Sequence, residues 1–411
     1  MVMALFSPGV LGAGQGLSVL GTGHPGRVGV TRPGSALVQD AAGAFQSAAI
    51  NTPRFQGGQR LLVEEARRNG LRNPRAVGAL PGLIGSGGAL PTFWSFEGTA
   101  PATTILGTGL EDGLPYIDLR MQGTDTFALR MEQPNGVSCS GGQRWTASFF
   151  ARLLSGSLNN VGLQVALANY SVSSQAVLNH VFEGFVPTGG GLGGQRQSIS
   201  WTVPGSGTYG IANRLRLQSS GGFDLVLRLA APQLELGATR SSPILPVAGV
   251  TAAAERAADV PIWAPLGGLG GSGTVVLAAM LPSTAGDADQ GLLQVDDGTD
   301  SNRLVLRSPA GAGSILAAAD RAGLPQAAVN AGTVAAGMPF RLALAWAPDG
   351  LAVCLNGGAV QTAAASLPTG LARLLAGHAG VALNRAANGE IGPITYRPAR
   401  LDDGWLRALT A

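Results

Sequence analysis

Short apolar runs alternate with glycine-rich turns over most of residues 91–242. In the run FDLVLRLAAPQLEL, Leu225, Leu227 and Leu229 alternate with Asp224, Val226 and Arg228, which is the period of two that a half-buried strand shows. Further runs of similar character are YIDLRM, FALRME, WTASFFARL, GLQVALANY, QSISWTV and YGIANRLRLQ. The turns between them contain NG, SGG, TGGG and PGSG, so this region is predicted to form an antiparallel β-sandwich.

A second β region is predicted over residues 266–411, after a proline-containing linker or strap at 243–265. In the segment FRLALAWAPDGLAVCLNGGAVQTA, large apolar residues recur two apart from Phe340 to Trp346 and again from Leu351 to Leu355. The sequence Pro-Asp-Gly between these runs predicts a turn, and Asn356-Gly357 is a type I′ hairpin signal. The segment is therefore predicted to be a three-stranded antiparallel meander.

The last residues are predicted to form a strand followed by a short helix. Asp402 is suited to be the N-cap of this helix, and Trp405 and Leu409 lie four residues apart on one helical face. The resulting fold class is all-β, with two antiparallel sandwiches of jelly-roll type and an extended N-terminal arm over residues 1–24.

The composition narrows the class of protein. Charged residues make up only 12% of the 411 residues, about half the usual share, and all 27 basic residues are arginine. A net charge of +3 without basic clustering gives little support for a nucleic-acid partner, so none is expected. The two cysteines, Cys139 and Cys354, form no C-x-x-C motif, and neither a disulfide framework nor a zinc site is predicted.

The arm is apolar and glycine-rich, but it lacks the positively charged start of a signal peptide. No run of about 18 apolar residues predicts a membrane span, and no membrane insertion is expected. Residues 25–90 are read as an extended scaffold segment and loop. Within them, residues 51–73 (NTPRFQGGQRLLVEEARRNGLRN) combine two glutamates with five arginines, which leaves a helix, a basic binding patch and a scaffold as alternatives.

Residues 31–73 resemble a segment common in tail-fibre and spike proteins of tailed bacteriophages and phage-like particles, where it leads into a carbohydrate-binding-module-like sandwich. The matching residues are Thr31, Arg32, Ser35, Asp40, Gly43, Pro53, Arg54, Phe55, Leu61, Leu62, Glu64, Glu65, Arg67 and Asn69. Residues 231–260 resemble the exit segment of the same family at Gln233, Glu235, Arg256, Ala257, Ala258 and Asp259. Residues 266–411 resemble a concanavalin A-like (laminin-G-like) jelly roll, including LLQVDDGTDSNRLVLR and ARLDDGWLRALT.

This resemblance implies a surface component of a tailed phage or a gene-transfer-agent-like particle, either a tail fibre or a head spike. It would bind host cell-surface polysaccharide and other virion proteins, and it would form a homo-oligomer. The arm would serve particle docking or oligomerisation, and the protein would be assembled in the cytoplasm without a signal peptide. In the scaffold, Leu61–Val63 would be a strand, and Glu64 would form an ion-paired turn with Arg67 or Arg68.

No enzyme is predicted. The sequence GTGHPG at residues 21–26 matches G-x-G-x-x-G, but the following RVGVTRP is β-like, whereas a dinucleotide site needs a helix there. The three histidines, His24, His180 and His378, lie in no metal or triad spacing.

The candidate ligand-binding residues come from two aromatic stretches of the first sandwich. Trp94 and Phe96 flank a glycine-rich loop and are candidates for exposed stacking. In LNHVFEGF, the group Asn179, His180, Phe182 and Glu183 would stack on a sugar ring and bond its hydroxyls if it lies on a loop. The alternative is an edge strand that carries His180, with its aromatic residues in the core.

Two groups of acidic residues leave other functions open. The acids of DADQGLLQVDDGTDSN, which are Asp287, Asp289, Asp296, Asp297 and Asp300, could hold calcium, although a plain hairpin turn explains the same sequence and no cofactor is expected. A polysaccharide depolymerase would need two carboxylates about 5–10 Å apart. The acids considered for that role are Glu97, Glu111, Asp112 and Glu183. The remaining alternative to an adhesin is a structural spike base or spacer without sugar binding.

Overall fold

The computed structural model describes residues 16–284 and 286–411, and this part of the chain is almost entirely β. Strands account for 53% of the residues and helix for 3%, in several antiparallel sheets, which confirms the predicted fold class. The chain forms two compact units. The central unit comprises residues 32–58 and 66–258, and the C-terminal unit comprises the described residues up to Thr31 together with Gln59–Glu65 and Asp259–Ala411.

The first strands in chain order are short, and they are β1 (Leu17–Leu20), β2 (Gly29–Thr31), β3 (Ala36–Gln39), β4 (Phe45–Ala48), β5 (Phe55–Gln56), β6 (Arg60–Val63), β7 (Arg67–Asn69), β8 (Gly82–Ile84) and β9 (Gly87–Gly88). The sandwich strands of the central unit follow as β10 (Ser95–Gly98), β11 (Ala102–Glu111), β12 (Leu114–Gly123), β13 (Phe127–Arg130), β14 (Ser138–Ser140), β15 (Arg144–Gly156), β16 (Val161–Tyr170), β17 (Val177–Phe185), β18 (Arg196–Thr202), β19 (Thr208–Ser219), β20 (Phe223–Leu236) and β21 (Ala254–Arg256), with a 3₁₀ turn at Leu192–Gly194.

The C-terminal unit contains the remaining elements, which are β22 (Val260–Trp263), β23 (Gly273–Met280), β24 (Gln290–Asp296), β25 (Arg303–Ser308), β26 (Ser314–Arg321), β27 (Leu324–Thr333), β28 (Phe340–Ala347), β29 (Gly350–Leu355), β30 (Gln361–Ala364), β31 (Arg373–Ala376), β32 (Gly389–Arg397) and the helix α1 (Asp403–Thr410).

The central unit is a sandwich of two antiparallel sheets. One sheet has the order β10-β13-β19-β16-β17, with β14 also beside β19, and the other has the order β18-β15-β20-β12-β11-β8-β9. All seven strands predicted for this region are present, and β20 has the predicted bounds. Leu225, Leu227 and Leu229 are buried as their alternation predicts. They share one core with Leu163 and Leu215 of the first sheet, so the two sheets pack face to face.

A buried hydrogen-bond network fastens the scaffold segment to the end of β20. The side chain of Asn69 is fully buried and makes four bonds. Its Nδ2 donates to the carbonyls of Pro232 and Ile244, both at 3.1 Å. Its Oδ1 accepts from the N–H groups of Leu71 (3.1 Å) and Leu234 (3.0 Å). All its polar atoms are therefore satisfied.

The stretch RLLVEEARRN is scaffold rather than helix. Leu61–Val63 lies within β6, as predicted, and Arg67–Asn69 forms β7, which pairs with β21. Arg68 lies 3.8 Å from Glu255, and both side chains are mostly exposed, so this pair contributes little stability.

Two further arginines of the matched segment serve the scaffold. Arg32 is fully buried, and its guanidinium donates to the carbonyls of Ala49 and Thr52 at 2.7 and 3.0 Å. Arg54 is equally buried and donates to the carbonyl of Leu37 at 2.9 Å and the hydroxyl of Ser242 at 2.8 Å. Backbone acceptors thus compensate much of the cost of burying these two cations.

The C-terminal unit is built from two antiparallel sheets. The first has the order β30-β29-β28-β23-β32-β6, with β1 also pairing with β32, and the second has the order β2-β22-β31-β24-β25-β26-β27. The predicted meander is β28-β29-β30, and Asn356 and Gly357 both have the positive φ that a type I′ turn requires, 48° and 70°.

The helix α1 begins where predicted but buries a different face. Asp402 is the N-cap and accepts a hydrogen bond from Trp405 N–H at 3.0 Å. Leu406 packs against Ala343, Ala345, Ala352 and Cys354 on the sheet face away from the large apolar residues of β28. Trp405 is 58% exposed, so it shares no buried face with Leu409. The face that is buried is the one with Leu406, because the small side chains of β28 and β29 leave space there for a leucine.

The compact units divide the chain differently from the predicted domains. The predicted arm lies mostly outside the described residues, and its described end, Leu17–Leu20, is strand β1, paired with β32. The predicted linker, 243–265, contains β21 in the central unit and β22 in the C-terminal unit. Residues 59–65 leave the scaffold segment to join the C-terminal unit. Sequence-local composition does not reveal such long-range strand pairing.

Replacing Asn69 with alanine should destabilise the central unit by about 3 kcal/mol, because two buried N–H groups and two buried carbonyls lose their partner. The free energy of unfolding is measured by urea denaturation, and hydrogen exchange of the β20 amides shows whether the loss is located in the central unit. The control Arg68→Ala, one residue away and mostly exposed, should change the free energy of unfolding by less than about 0.5 kcal/mol. Equal effects of the two substitutions would contradict the network.

Replacing Leu406 with alanine should destabilise the C-terminal unit by about 2–4 kcal/mol, because it opens a cavity between α1 and the sheet. Trp405→Ala removes a larger side chain but an exposed one, and it should cost no more than about 0.5 kcal/mol. Thermal unfolding of the two variants compares them directly, and a larger loss from Trp405→Ala would show that the other face is buried.

Candidate functional site

The first aromatic pair of the predicted site does not lie open to solvent. Trp94 is only 5% exposed, and its indole N–H donates to the carbonyl of Asn73 at 3.2 Å. Phe96 is half-buried and makes an edge-to-face contact with Phe127, with the ring centroids 5.7 Å apart. The expectation of exposed stacking at Trp94 is therefore wrong, because the core and a backbone acceptor take up both its apolar and its polar parts.

The second group lies on an edge strand rather than on a loop. Residues 177–185 form β17, which pairs with β16 and is the last strand of this sheet among the described residues. Val181 and Phe185 point toward the core. Side chains alternate along a strand, so His180 and Phe182 lie on the outer face, while Asn179 and Glu183 are exposed on the other side at the rim. The structure thus brings together only two of the six predicted residues.

His180 and Phe182 begin a continuous row on the outer face of the sheet. Their rings are stacked at 5.7 Å with an interplanar angle of 21°, and Phe182 is 43% exposed. The guanidinium carbon of Arg216, on β19, lies 4.9 Å from the centroid of the Phe182 ring, within the range of a cation–π contact.

Two glutamines hold the guanidinium of Arg216 in place. Its Nη1 donates to the amide oxygens of Gln164 and Gln218, and Gln164 also donates to Gln218 at 3.1 Å. Partial burial and the positive charge of Arg214 lower the pKa of Arg216 below its usual value. Arg216 is therefore a fixed cation with amide partners, in a setting that would favour an added hydrogen-bond acceptor.

A second polar cluster adjoins this row two residues back along β19. Glu97 accepts from Arg214 at 2.5 Å and from the hydroxyl of Tyr170 at 2.8 Å, and Arg130 lies 4.0 Å away. Arg214 is 3% exposed, and its Nε has no hydrogen-bond partner among the described residues. Burial raises the pKa of Tyr170, so the phenol stays protonated and donates to Glu97.

We call the combined set the outer-face cluster, and its members are Glu97, Arg130, Gln164, Tyr170, His180, Phe182, Arg214, Arg216 and Gln218. They come from all five strands of the main sheet order and lie on its outer side. The side chains hold one another through hydrogen bonds, ion pairs and ring contacts, so their geometry is fixed before any ligand arrives.

Most of the cluster lies outside the site residues predicted from the sequence, although the sequence contains a signal for part of it. In NRLRLQ, Arg214, Arg216 and Gln218 occupy every second position between buried leucines, which places three polar side chains on one face of a strand. The contacts of Glu97 with Arg214 join positions 117 residues apart, and no local pattern predicts such a pairing.

The acids considered for glycoside hydrolysis do not form a pair across a groove. Glu97 and Glu183 lie on the first and last strands of one sheet, four spacings or about 19 Å apart. Glu111 is on the opposite sheet, where it pairs with Arg152 and Arg228. Burial alone would raise the pKa of Glu111, but Arg228, Leu192 N–H and Arg152 together lower it. The adjacent Asp112 accepts from Gly193 N–H at 2.9 Å.

Four of the acids considered for calcium have protein partners in the structure. Asp296 is buried and pairs with Arg373, Asp289 pairs with Arg307, and Asp300 pairs with Arg303. Asp297 accepts from Thr299 and Asn302 within the hairpin turn. Among residues 16–284 and 286–411, no group of three or more His, Cys, Asp or Glu side chains could hold a metal ion. In the same residues, no helix is long and apolar enough to cross a membrane.

Comparison with known proteins finds no matching family model and no matching curated protein. Among solved structures, the chain is similar to the CBM40 of Ruminococcus gnavus IT-sialidase bound to α2,3-sialyllactose, with 20% identity over 34% of this chain and 83% of that one, at a TM-score of 0.30. It is also similar to domains LG4-5 of the mouse laminin α1 chain (13% identity, 74% and 94% covered, TM-score 0.25). Trypanosoma rangeli sialidase in complex with 2,3-difluorosialic acid matches at 11% identity (79% and 64% covered, TM-score 0.29). Likenesses this distant carry no argument about function.

Replacing Glu97 with alanine should reduce the free energy of unfolding by about 2–3 kcal/mol, because it leaves Arg214 buried without a carboxylate. Glu97 keeps some exposure, so we expect less than the full cost of breaking a buried pair. The matched control is Glu183→Ala on the exposed rim, where the change should stay below about 0.5 kcal/mol. Chemical unfolding of both variants measures the difference, and similar losses would show that Glu97 does not organise the cluster.

Proposed function

We propose that the outer-face cluster of the central unit binds a glycan and that the chain is a surface component of a phage or phage-like particle that attaches to host polysaccharide. The observation that carries the glycan proposal is the fixed arrangement of Arg216 between the Phe182 ring and two glutamines. It combines an exposed aromatic ring, a guanidinium and amides on an open sheet face.

Each part of this arrangement has a use in binding a sugar. The apolar faces of a sugar ring can lie against the exposed part of Phe182 and His180. Amide and guanidinium groups offer the directional donors and acceptors that hydroxyl groups need. Because Gln164, Gln218 and Arg216 already restrain one another, little side-chain freedom is lost on binding.

The attachment role is supported by the resemblance of residues 31–73 and 231–260 to tail-fibre and spike proteins. A virion carries several copies of such a component, and multivalent engagement raises avidity by about 10²–10⁴ over a single weak site. The partners would accordingly be host polysaccharide, other virion proteins and further copies of this chain.

The proposal is tested by co-sedimenting the purified chain, as an oligomeric preparation, with host cells that have or lack their surface polysaccharide. Phe182→Ala and Arg216→Gln should each lower binding to the polysaccharide-bearing cells about tenfold, since each removes a main contact. The matched controls are Leu110→Ala and Arg120→Gln, which remove an exposed apolar side chain and an exposed arginine from the other sheet and should bind as the parent does.

Other outcomes would redirect the proposal. Equal, negligible binding of the parent chain to both cell types would favour a structural spike base or spacer. Shortened sugar chains after incubation would favour a depolymerase. Binding that survives both Phe182→Ala and Arg216→Gln would place the glycan site elsewhere.

A further inference from the structure

The C-terminal unit has a trough on the outer face of the sheet that contains β23, β28 and β32. The helix α1 packs on β28 and β29 through Leu406. Beside it, among the described residues, Ala278 of β23 and Thr395 of β32 are only half-buried on the outer face. Two adjoining cavities occupy the open part, with volumes of about 480 and 260 Å³. They share Ala278, Arg341 and Pro393, so the trough is elongated. The larger cavity falls in the usual range for ligand sites, about 300–1,000 Å³.

The floor of the trough is made of small or short side chains in strand register. Ala278 pairs with Arg341 of β28, and Val276 pairs with Thr395 of β32. Pro393 lies at the irregularity where β32 shifts its register against β23. Because these side chains are short, they leave a depression in the sheet surface between α1 and Arg60, and the two cavities occupy this depression.

Arginines supply the charged groups of the trough. Arg341 lines both cavities, Arg60 lines the larger one and Arg397 the smaller one. Arg60 pairs with Glu390 at 3.1 Å. Arg341 is exposed, and it donates at 2.9 Å to a backbone oxygen of Ala411, the last residue of the sequence. No Asp or Glu side chain is among the described residues that line either cavity. Gln59 and Asn356 add amides, and Thr22 and Thr410 add hydroxyl groups to the larger cavity.

We propose that this trough is a second ligand site, independent of the outer-face cluster, and that it takes a carboxylate-bearing stretch of an acidic polysaccharide. Guanidinium groups at intervals along an elongated trough suit a chain with repeated carboxylates, because each can form charge-assisted hydrogen bonds. Amides and hydroxyl groups between them suit sugar hydroxyls. Phe340 is the one aromatic residue among the described lining residues, so charge dominates over stacking and the binding is salt-sensitive.

The test measures binding of an oligogalacturonate of defined length to the full chain by isothermal titration calorimetry. The neutral counterpart is a maltooligosaccharide of the same length. We expect the acidic oligomer to bind more tightly, and we expect its affinity to fall as the salt concentration rises from low to physiological values. Equal binding of the neutral oligomer would overturn the assignment of the ligand class.

Variants locate the site. Arg341→Gln should weaken oligogalacturonate binding roughly tenfold, and the double variant with Arg397→Gln should weaken it further. Arg321→Gln, an equal charge change at an exposed position on β26 in the other sheet, is the matched control and should leave it unchanged. Phe182→Ala should also leave it unchanged. Loss of binding in Phe182→Ala, or parental binding in Arg341→Gln, would overturn the site.

A second pair of variants keeps the test valid if Arg341→Gln disturbs the end of α1. Ala278→Glu and Ala278→Gln place side chains of similar size on the floor of the trough, at a half-buried outward position. The glutamate should abolish binding of the acidic oligomer by repulsion, and the glutamine should weaken it much less. Equal effects of the two would show that charge does not govern the site.

Discussion

The central unit depends on a buried polar network that begins at Asn69 and extends through the end of β20. Asn69 satisfies the carbonyls of Pro232 and Ile244 and the N–H groups of Leu234 and Leu71. Gln233 donates to Glu235 and accepts from Ile244 N–H. Buried polar groups without partners would each cost about 1–3 kcal/mol, so this part of the chain has one arrangement that satisfies them and many that do not.

The same network reaches the strand that carries part of the outer-face cluster. Asn213 of β19 donates to the carbonyls of Gln233 and Ser148, which lie on β20 and β15 of the opposite sheet. It thereby fixes how the strand that carries Arg214 and Arg216 sits across the core. A polar core residue is a more specific restraint than an apolar one here, because leucine contacts tolerate small slips whereas a hydrogen bond at about 3 Å does not. Because Asn213 fixes the position of β19 from the core side, it also fixes the positions of Arg214 and Arg216 on the outer face.

The sequence predicted the strands better than it predicted the site, and the reason is physical. Alternation along one strand, as in Leu225 to Leu229, reports which face is buried, and these three leucines are buried as it predicts. The burial of Trp94 depends on its contact with Asn73 and on the loop around it, which the local sequence pattern does not report. His180 and Phe182 were found by composition, but their partners Arg216 and Gln164 come from two other strands, and register between distant strands is not encoded locally.

The chain's exclusive use of arginine fits these demands on its charged groups. Arg32 and Arg54 are buried among carbonyls and a hydroxyl group, and Arg216 lies over an aromatic ring while it bonds two amides. A planar guanidinium has five donors, so it can bond several acceptors in different directions and still stack on an aromatic ring. The ammonium of lysine can neither stack in this way nor form bidentate hydrogen bonds. Arg32 and Arg54 therefore stabilise the fold, whereas Arg216 lies on the outer face of its sheet, where a ligand could contact it.

The edge strand β17 could also pair with a strand of another chain, because an exposed apolar sheet edge is a template for strand pairing. Leu178 and Phe182 are 46% and 43% exposed on this strand. A partner strand would use the N–H and C=O groups of β17 that point away from β16. A glycan on the outer face would use side chains that point away from the sheet plane. Strand pairing at the edge and glycan binding on the outer face are therefore compatible. Phe182→Ala distinguishes the two, because it removes the aromatic surface for the glycan but leaves the backbone hydrogen-bonding groups of the edge in place. An oligomer that persists in this variant without glycan binding would assign the edge to assembly and the face to recognition.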